Sequence, residues 1–122
     1  MSRHNISVGC EGENLAVAYL ERQRYRILER NFRCKGGEID IVARDGKDLV
    51  FVEVKTRNTG SYGPPQLAVT PFKQRQISKA ALTWLAKKKE QDSGARFDVI
   101  AITFSGQEPR IEHIPNAFEL AY

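Results

Sequence analysis

From Gly9 to Gln23 the apolar residues Leu15, Ala16, Tyr19 and Leu20 return at helical spacing, with Glu11, Asn14, Glu21 and Arg22 filling the positions between. The pattern predicts a first amphipathic helix. Tyr25 to Phe32 carries β-compatible residues interrupted by charge, and Glu38-Ile39-Asp40-Ile41-Val42-Ala43 passes from alternation into a continuous apolar run. Both segments read as strands. Asp45-Gly46 is a turn signal, and Leu49-Val50-Phe51-Val52-Glu53-Val54 beyond it is the most β-prone stretch, so these two runs are expected to pair as an antiparallel hairpin. Because Leu49 to Val54 is apolar on both faces, it is expected at the centre of the sheet.

Asn58 to Pro65, with Gly60, Ser61, Gly63 and two prolines, cannot continue a ladder and is expected to be an exposed loop. Thr70-Pro71 opens a second helix, threonine as N-cap and proline at the first helical position, with Ile77, Ala81, Trp84 and Leu85 as its buried stripe. Trp84 and Phe72 are both expected in the core. Lys87-Lys88-Lys89 near the helix end complement its dipole. Arg96 to Phe104 reads as a strand, and Arg110 to Ile114 as a short edge strand closed by Pro115. The order is αβββαββ, an α/β arrangement expected to form one domain over residues 1–122.

At 122 residues, 41% hydrophobic and 28% charged, the chain suits a single soluble domain and is too short for a two-domain enzyme. No apolar run approaches the ~18 residues of a membrane span, and the start Met1-Ser2-Arg3-His4-Asn5 lacks the apolar core of a signal peptide, so a cytoplasmic location without membrane contact is expected. Cys10 and Cys34 have neither CxxC spacing nor neighbouring histidines, and are expected to be reduced thiols. His4 and His113 are expected at the surface. The net charge of +4 suits a polyanionic partner without demanding one.

Four ionisable residues stand where a sheet normally places apolar ones: Glu38, Asp40, Glu53 and Lys55. Burying such charges unpaired costs several kcal/mol each. Glu53 and Lys55 are two apart and project from one strand face, as do Glu38 and Asp40. If the hairpin loop is Asp45 to Asp48, Arg44 faces Leu49 and Asp40 lies opposite Glu53, with Cβ atoms ~5 Å apart. Two facing carboxylates repel, and a divalent cation with hard oxygen ligands, magnesium or manganese, resolves the conflict. Lys55 then serves to hold or polarise a metal-bound water. The competing account is a cross-strand ion-pair network with Glu38 opposite Lys55 and Asp40 solvated at the sheet edge.

Gly37-Glu38-Ile39-Asp40 followed by Glu53-Val54-Lys55 resembles the Asp…Glu-x-Lys signature of the PD-(D/E)xK nuclease superfamily, whose fold is the restriction-endonuclease-like core, a central mixed β-sheet flanked by helices. More narrowly, Gly9-x-x-Gly12-Glu13, Arg30-Asn31-x-Arg33, Gly37-Glu38-Ile39-Asp40, Phe51-Val52-Glu53-Val54-Lys55-Thr56-Arg57 and Arg96-Phe97-Asp98-Val99 together resemble the YraN family of small bacterial proteins. That family is itself similar to archaeal Holliday-junction resolvases. The resemblance spans nearly the whole chain. It implies that Asp40, Glu53 and the Val54 carbonyl hold the metal, that Lys55 is the catalytic lysine, and that Glu13 extends the acidic cluster from the first helix. Ile39, where many superfamily members have proline, is the one departure.

Glu38 is assigned beside Lys55 as its partner, and Gln66 near the metal. Arg57, Lys73, Arg75 and Lys79 flank the proposed site and are expected to hold phosphates either side of a scissile bond. Asp98 is expected in a structural ion pair. The leading expectation is therefore a metal-dependent endonuclease acting on DNA, with branched or recombination DNA as the form the resemblance implies, and a homodimer as its assembly. The rival is a nucleic-acid-binding or adaptor protein in a recombination or uptake assembly, without nuclease activity of its own.

Overall fold

The computed structural model describes residues 3–58, 63–106 and 108–121, with the backbone alone for residues 3–9 and Gln66. Helix α1 (Arg3–Arg22) leads into strands β1 (Arg26–Cys34), β2 (Gly37–Asp45) and β3 (Asp48–Asn58). A single 3-10 turn (Pro65–Ala68) precedes α2 (Pro71–Lys87), and β4 (Ala95–Phe104) and β5 (Arg110–Phe118) complete the chain. The sheet order is β1-β2-β3-β4-β5, antiparallel except for the β3–β4 pair. This is an α/β fold with a five-stranded mixed sheet and one helix on each face. The expected hairpin is present: Arg44 faces Leu49, and β3 is central.

Strand alternation decides which side chains meet which helix. Val50 and Val52 of β3, with Ile41, Ala43, Ile100 and Ile102, pack against Ala16 and Leu20 of α1. Leu49 and Phe51, with Phe32, Ile39, Val42, Phe97 and Val99, pack against Ile77, Ala80, Ala81 and Trp84 of α2. Each large side chain so buried contributes roughly 1.5–3 kcal/mol, which is why β3 needs no polar position over this stretch. In β2 the alternation breaks. Ile39 and Val42 both lie under α2 while Ile41 lies under α1, so the pleat changes at Asp40. Continuing the β1–β2 register places Asn31 opposite Asp40, and Asn31 takes the left-handed conformation, with φ 54°.

The second helix begins as expected, with the Thr70 hydroxyl accepting from the Lys73 amide at 3.2 Å and Pro71 at the first helical position. Trp84 is buried and donates its indole N–H to Glu29 at 3.0 Å. Phe72 is the correction: it is 63% exposed, because the buried residues of the helix are Ile77, Ser78, Ala80, Ala81 and Trp84, and Phe72 lies outside that stripe. Leu67 is also exposed, at 73%. The residues 59–62 of the expected loop lie outside the described ones. None of the described helices is long and apolar enough to cross a membrane.

The last strand is longer than its sequence suggests. It does not stop at Pro115 but runs to Phe118, with a bulge that shifts the register from Val99↔Ile114 to Phe97↔Phe118. Pro115 is tolerated because β5 is an edge strand, where a missing donor costs no ladder bond, and Asn116 makes the bulge with φ 51°. The bulge serves Asp98, which is fully buried and accepts from the Asn116 amide at 2.9 Å, from Arg96 Nε at 3.1 Å and from His113 Nε2 at 2.7 Å. Asp98 is thus in the expected ion pair, with Arg96 also bonded to Asp45 and to the Tyr25 hydroxyl. His113 is not at the surface; its other ring nitrogen meets the Tyr19 hydroxyl at 3.1 Å. The side chain of His4 lies outside the described residues.

Burial alone would raise the Asp98 carboxyl, but the hydrogen bonds from His113, the Asn116 amide and Arg96 outweigh it and hold the group below its ordinary value. A depressed carboxyl stabilises the fold above its unfolded pKa and loses that contribution as pH falls through the folded one. Asp98→Asn is therefore expected to cost roughly 3 kcal/mol at pH 7, and less as the wild type is acidified below about pH 4. Thermal melts of both proteins from pH 3 to pH 7 check this.

Candidate active site

Where the sheet stops being apolar, its charged residues collect. The β2–β3 ladder ends at Ile41↔Val52, so Asp40 is the next residue along β2 and Glu53 the next along β3. Instead of continuing the ladder, Asp40 turns its carboxylate to the Val54 amide, which donates to Oδ2 at 2.8 Å. That bond satisfies a main-chain donor that the lost strand pairing would leave orphaned. Glu53 points from the α2 face of β3 and is only 8% exposed. Burial raises its carboxyl, and the hydrogen bond and charge of Asp40 raise it further, to about 9, against the opposing pull of Lys73 and Lys55. Burial and the neighbouring Asp40 thus favour the protonated form of Glu53 in the protein alone.

Two lysines stand beside this pair. Lys73 reaches Glu53 Oε2 with its ammonium at 3.9 Å. Lys55 is two residues beyond Glu53 on the same strand face, half-buried, and lines a cleft of about 330 Å³ with Thr56, Arg57, Pro64, Pro65 and Leu67. On the other side of Lys73 lies a second cleft of about 280 Å³, bounded by Arg33, Cys34, Gly37, Glu38 and Gln76. Sequence reasoning set Lys73 among the phosphate-binding residues and missed its pairing with Glu53. The signal was present, since Lys73 lies four residues before Ile77 and so continues the sheet-facing stripe of α2.

The other expected members are dispersed. Glu13 is held by Arg30 Nε and by the Asn31 amide group, both at 3.0 Å to Oε1. It therefore braces the distorted part of β1 that lies opposite Asp40. Arg30 and Asn31 had been given no role, and the sequence offers no signal of one beyond their place in the family motif. Glu38 pairs with Arg33 across the β1–β2 hairpin at 3.1 Å, and that partner replaces the expected Lys55. Arg57 donates to Thr103 Oγ1 and to the Gly63 carbonyl. Arg75 and Lys79 are exposed on α2, the Lys79 stem lying by Gly36 in the β1–β2 turn. The side chain of Gln66 lies outside the described residues. Among the described residues no three His, Cys, Asp or Glu side chains come together as a metal-holding group. The convergent set is one carboxyl pair with two lysines.

A family model described as "Uncharacterised protein family UPF0102" matches residues 12–102, a span that contains Glu13, Asp40, Glu53, Lys55 and Asp98. The chain belongs to the UPF0102 family. It is 80% identical over 122 residues to a UPF0102 protein of Geobacter metallireducens, covering all of both chains. It is 74% identical to a UPF0102 protein of Geobacter sulfurreducens, over 99% of this chain and 95% of that one. A more distant UPF0102 protein, from Anaeromyxobacter dehalogenans, is 47% identical over 93% of this chain and 84% of its own length.

The raised Glu53 carboxyl carries a consequence for stability. A group whose folded pKa lies above its unfolded value of 4.5 supports the fold fully below that value, and the support is lost as pH rises towards about 9. Glu53→Gln keeps a donor for Asp40 and removes the titration. In chelator, the variant is expected to melt higher than wild type at pH 8, by at least ~1 kcal/mol or roughly 4 °C, with the two converging at pH 5. Differential scanning calorimetry across that range checks it.

Proposed function

We propose that this chain is a metal-dependent endonuclease that hydrolyses phosphodiester bonds in DNA, on a restriction-endonuclease-like core. The single observation that carries the reading is the buried carboxyl of Glu53 set against Asp40, beside Lys55 and Lys73. A buried carboxyl set against another carboxyl costs stability and adds little packing, and strongly perturbed groups of this kind are candidates for chemistry. The donor set suits magnesium or manganese, which are commonly held by one or two carboxylates with substrate phosphate and water completing the shell. Asp40, Glu53 and the Val54 carbonyl would hold the ion. When bound, it supplies Lewis-acid polarisation and an acidified water.

The remaining work falls to this chain's own groups. Lys55 orients the attacking water and offsets the negative charge that builds on phosphorus. Lys73 keeps the Glu53 carboxylate in place once its proton has left. Glu13, through Arg30 and Asn31, keeps β1 in the shape that presents Asp40. Arg57 of β3, with Arg75 and Lys79 on the exposed side of α2, would serve for phosphates away from the carboxyl pair. Cutting both strands of a duplex calls for two such sites, which a homodimer provides.

A nicking assay on supercoiled and branched DNA, with magnesium, with manganese and with chelator, tests the proposal. Wild type is expected to cleave only with metal, and Lys55→Ala to lose cleavage by ~100-fold or more. DNA affinity of the variant is expected to stay within ~3-fold and to fall steeply with salt, because one lysine contributes one phosphate contact's share. Cleavage by Lys55→Ala at the wild-type rate overturns the mechanism. Binding without cleavage by either protein with either metal transfers the assignment to a nucleic-acid-binding or adaptor role.

A further inference from the structure

We propose that the cleft beside Lys55 is a nucleobase site, and that the substrate therefore presents an unpaired nucleotide next to the bond being cut. The location of that bond rests on the nuclease reading above, whereas the base contact does not. The cleft measures about 330 Å³, at the small end of the ~300–1,000 Å³ typical of ligand pockets. Besides Lys55, Thr56 and Arg57 of β3, it is lined chiefly by the apolar residues Pro64, Pro65, Leu67 and Ala68.

Leu67 is 73% exposed, although the residues that follow it are tied to the fold. Its amide bonds to the Pro64 carbonyl at 3.0 Å, Val69 two residues on is buried, and Thr70 caps α2 immediately after. Pro64, Leu67 and Ala68 are all exposed beside the cleft, so its lip is an apolar patch and not one stray side chain, and such a patch at a cleft is suited to binding. Charge then selects the occupant. A cleft that joins apolar residues to the cations of Lys55 and Arg57 fits a flat apolar ring that carries an anion. A nucleobase joined to its phosphate has that form. In an intact duplex the base faces are already stacked on their neighbours, so only an unpaired base offers a face to Leu67 and the prolines.

The test compares a short duplex ending in an unpaired tail with a fully paired duplex of the same phosphate number, at fixed salt and in chelator, with 2-aminopurine in the tail. Wild type is expected to bind the tailed duplex ~10-fold more tightly and to change the 2-aminopurine fluorescence. Leu67→Ser, at an exposed position that touches neither Asp40 nor Glu53, is expected to lose both effects while binding the paired duplex as before. Equal binding of the two duplexes by wild type, or an undiminished preference in Leu67→Ser, overturns the proposal. So does a shift of Leu67→Ser from dimer to monomer in sedimentation with the tail preference intact, since the cleft would then be an interface between copies. Metal-dependent cleavage that Lys55→Ala abolishes, without any tail preference, leaves the nuclease reading standing and removes this one. A tail preference that depends on Leu67, without cleavage under any metal, does the reverse.

Discussion

The central strand β3 has to bury side chains on both of its faces for its first half and carry charge in its second, and the rest of the molecule is arranged around that changeover. From Leu49 to Val52 the strand is covered by α1 on one side and α2 on the other. At Glu53 the apolar supply ends. The antiparallel pairing to β2 stops at the same register, whereas the parallel pairing to β4 runs on to Asn58↔Phe104. The charged half of β3 is therefore held rigidly from one edge and released from the other. The Asp40 carboxylate closes the gap by taking the Val54 amide, the donor that β2 no longer meets. A separation of strands that would otherwise cost an orphaned hydrogen bond thus becomes a stable opening.

The two polar clusters of the sheet show what it means for buried charge to be compensated or not. Asp98 lies on the α1 face and receives a main-chain amide, a guanidinium and an imidazole, so its carboxyl is held low despite complete burial. Glu53 lies on the α2 face with another carboxyl as its nearest partner and one ammonium 3.9 Å away, so its carboxyl is driven high. The first arrangement ties α1, β2, β4 and β5 together, with Tyr25 joining it from just before β1. The second leaves a buried carboxyl beside another carboxyl, with Lys73 and Lys55 only partly offsetting the burial. That contrast between the two clusters is the observation from which the proposed chemistry is argued.

Membership of the UPF0102 family places these residues in a chain whose relatives match it over nearly their whole length. The family description names no reaction, so the chemistry has to be argued from the carboxyl pair, the lysines and the clefts. Glu13 illustrates how that changes a residue's role. Expected as a further acid near the metal, it is instead tied to Arg30 and Asn31 and shapes the backbone behind Asp40.

Local rules account for what was legible in the chain. The Thr70-Pro71 cap, the β2–β3 register through Arg44 and Leu49, and the central place of β3 all follow from interactions between residues close in sequence or from alternation along a strand. The adjacency of Asp40 and Glu53 was expected from that register, but the paired register ends one residue short of them, at Ile41↔Val52, and Asp40 instead reaches the Val54 amide. What the sequence did not disclose depended on contacts between distant elements. His113 is buried because Asp98 and Tyr19 reach it from β4 and α1. Strand β5 passes through Pro115 because it is an edge strand with a bulge at that point, and Lys73 reaches Glu53 from α2, which packs on β1 and β2. Periodicity determines which side of an element is apolar, but a charged or aromatic side chain takes its partner from whatever the packing brings within a few ångströms. The sequence by itself determined the elements, their order and the hairpin that faces two carboxyls. Only the tertiary structure decided that Lys73 joins Lys55 beside them, because Lys73 arrives on a helix whose placement no local interaction specifies.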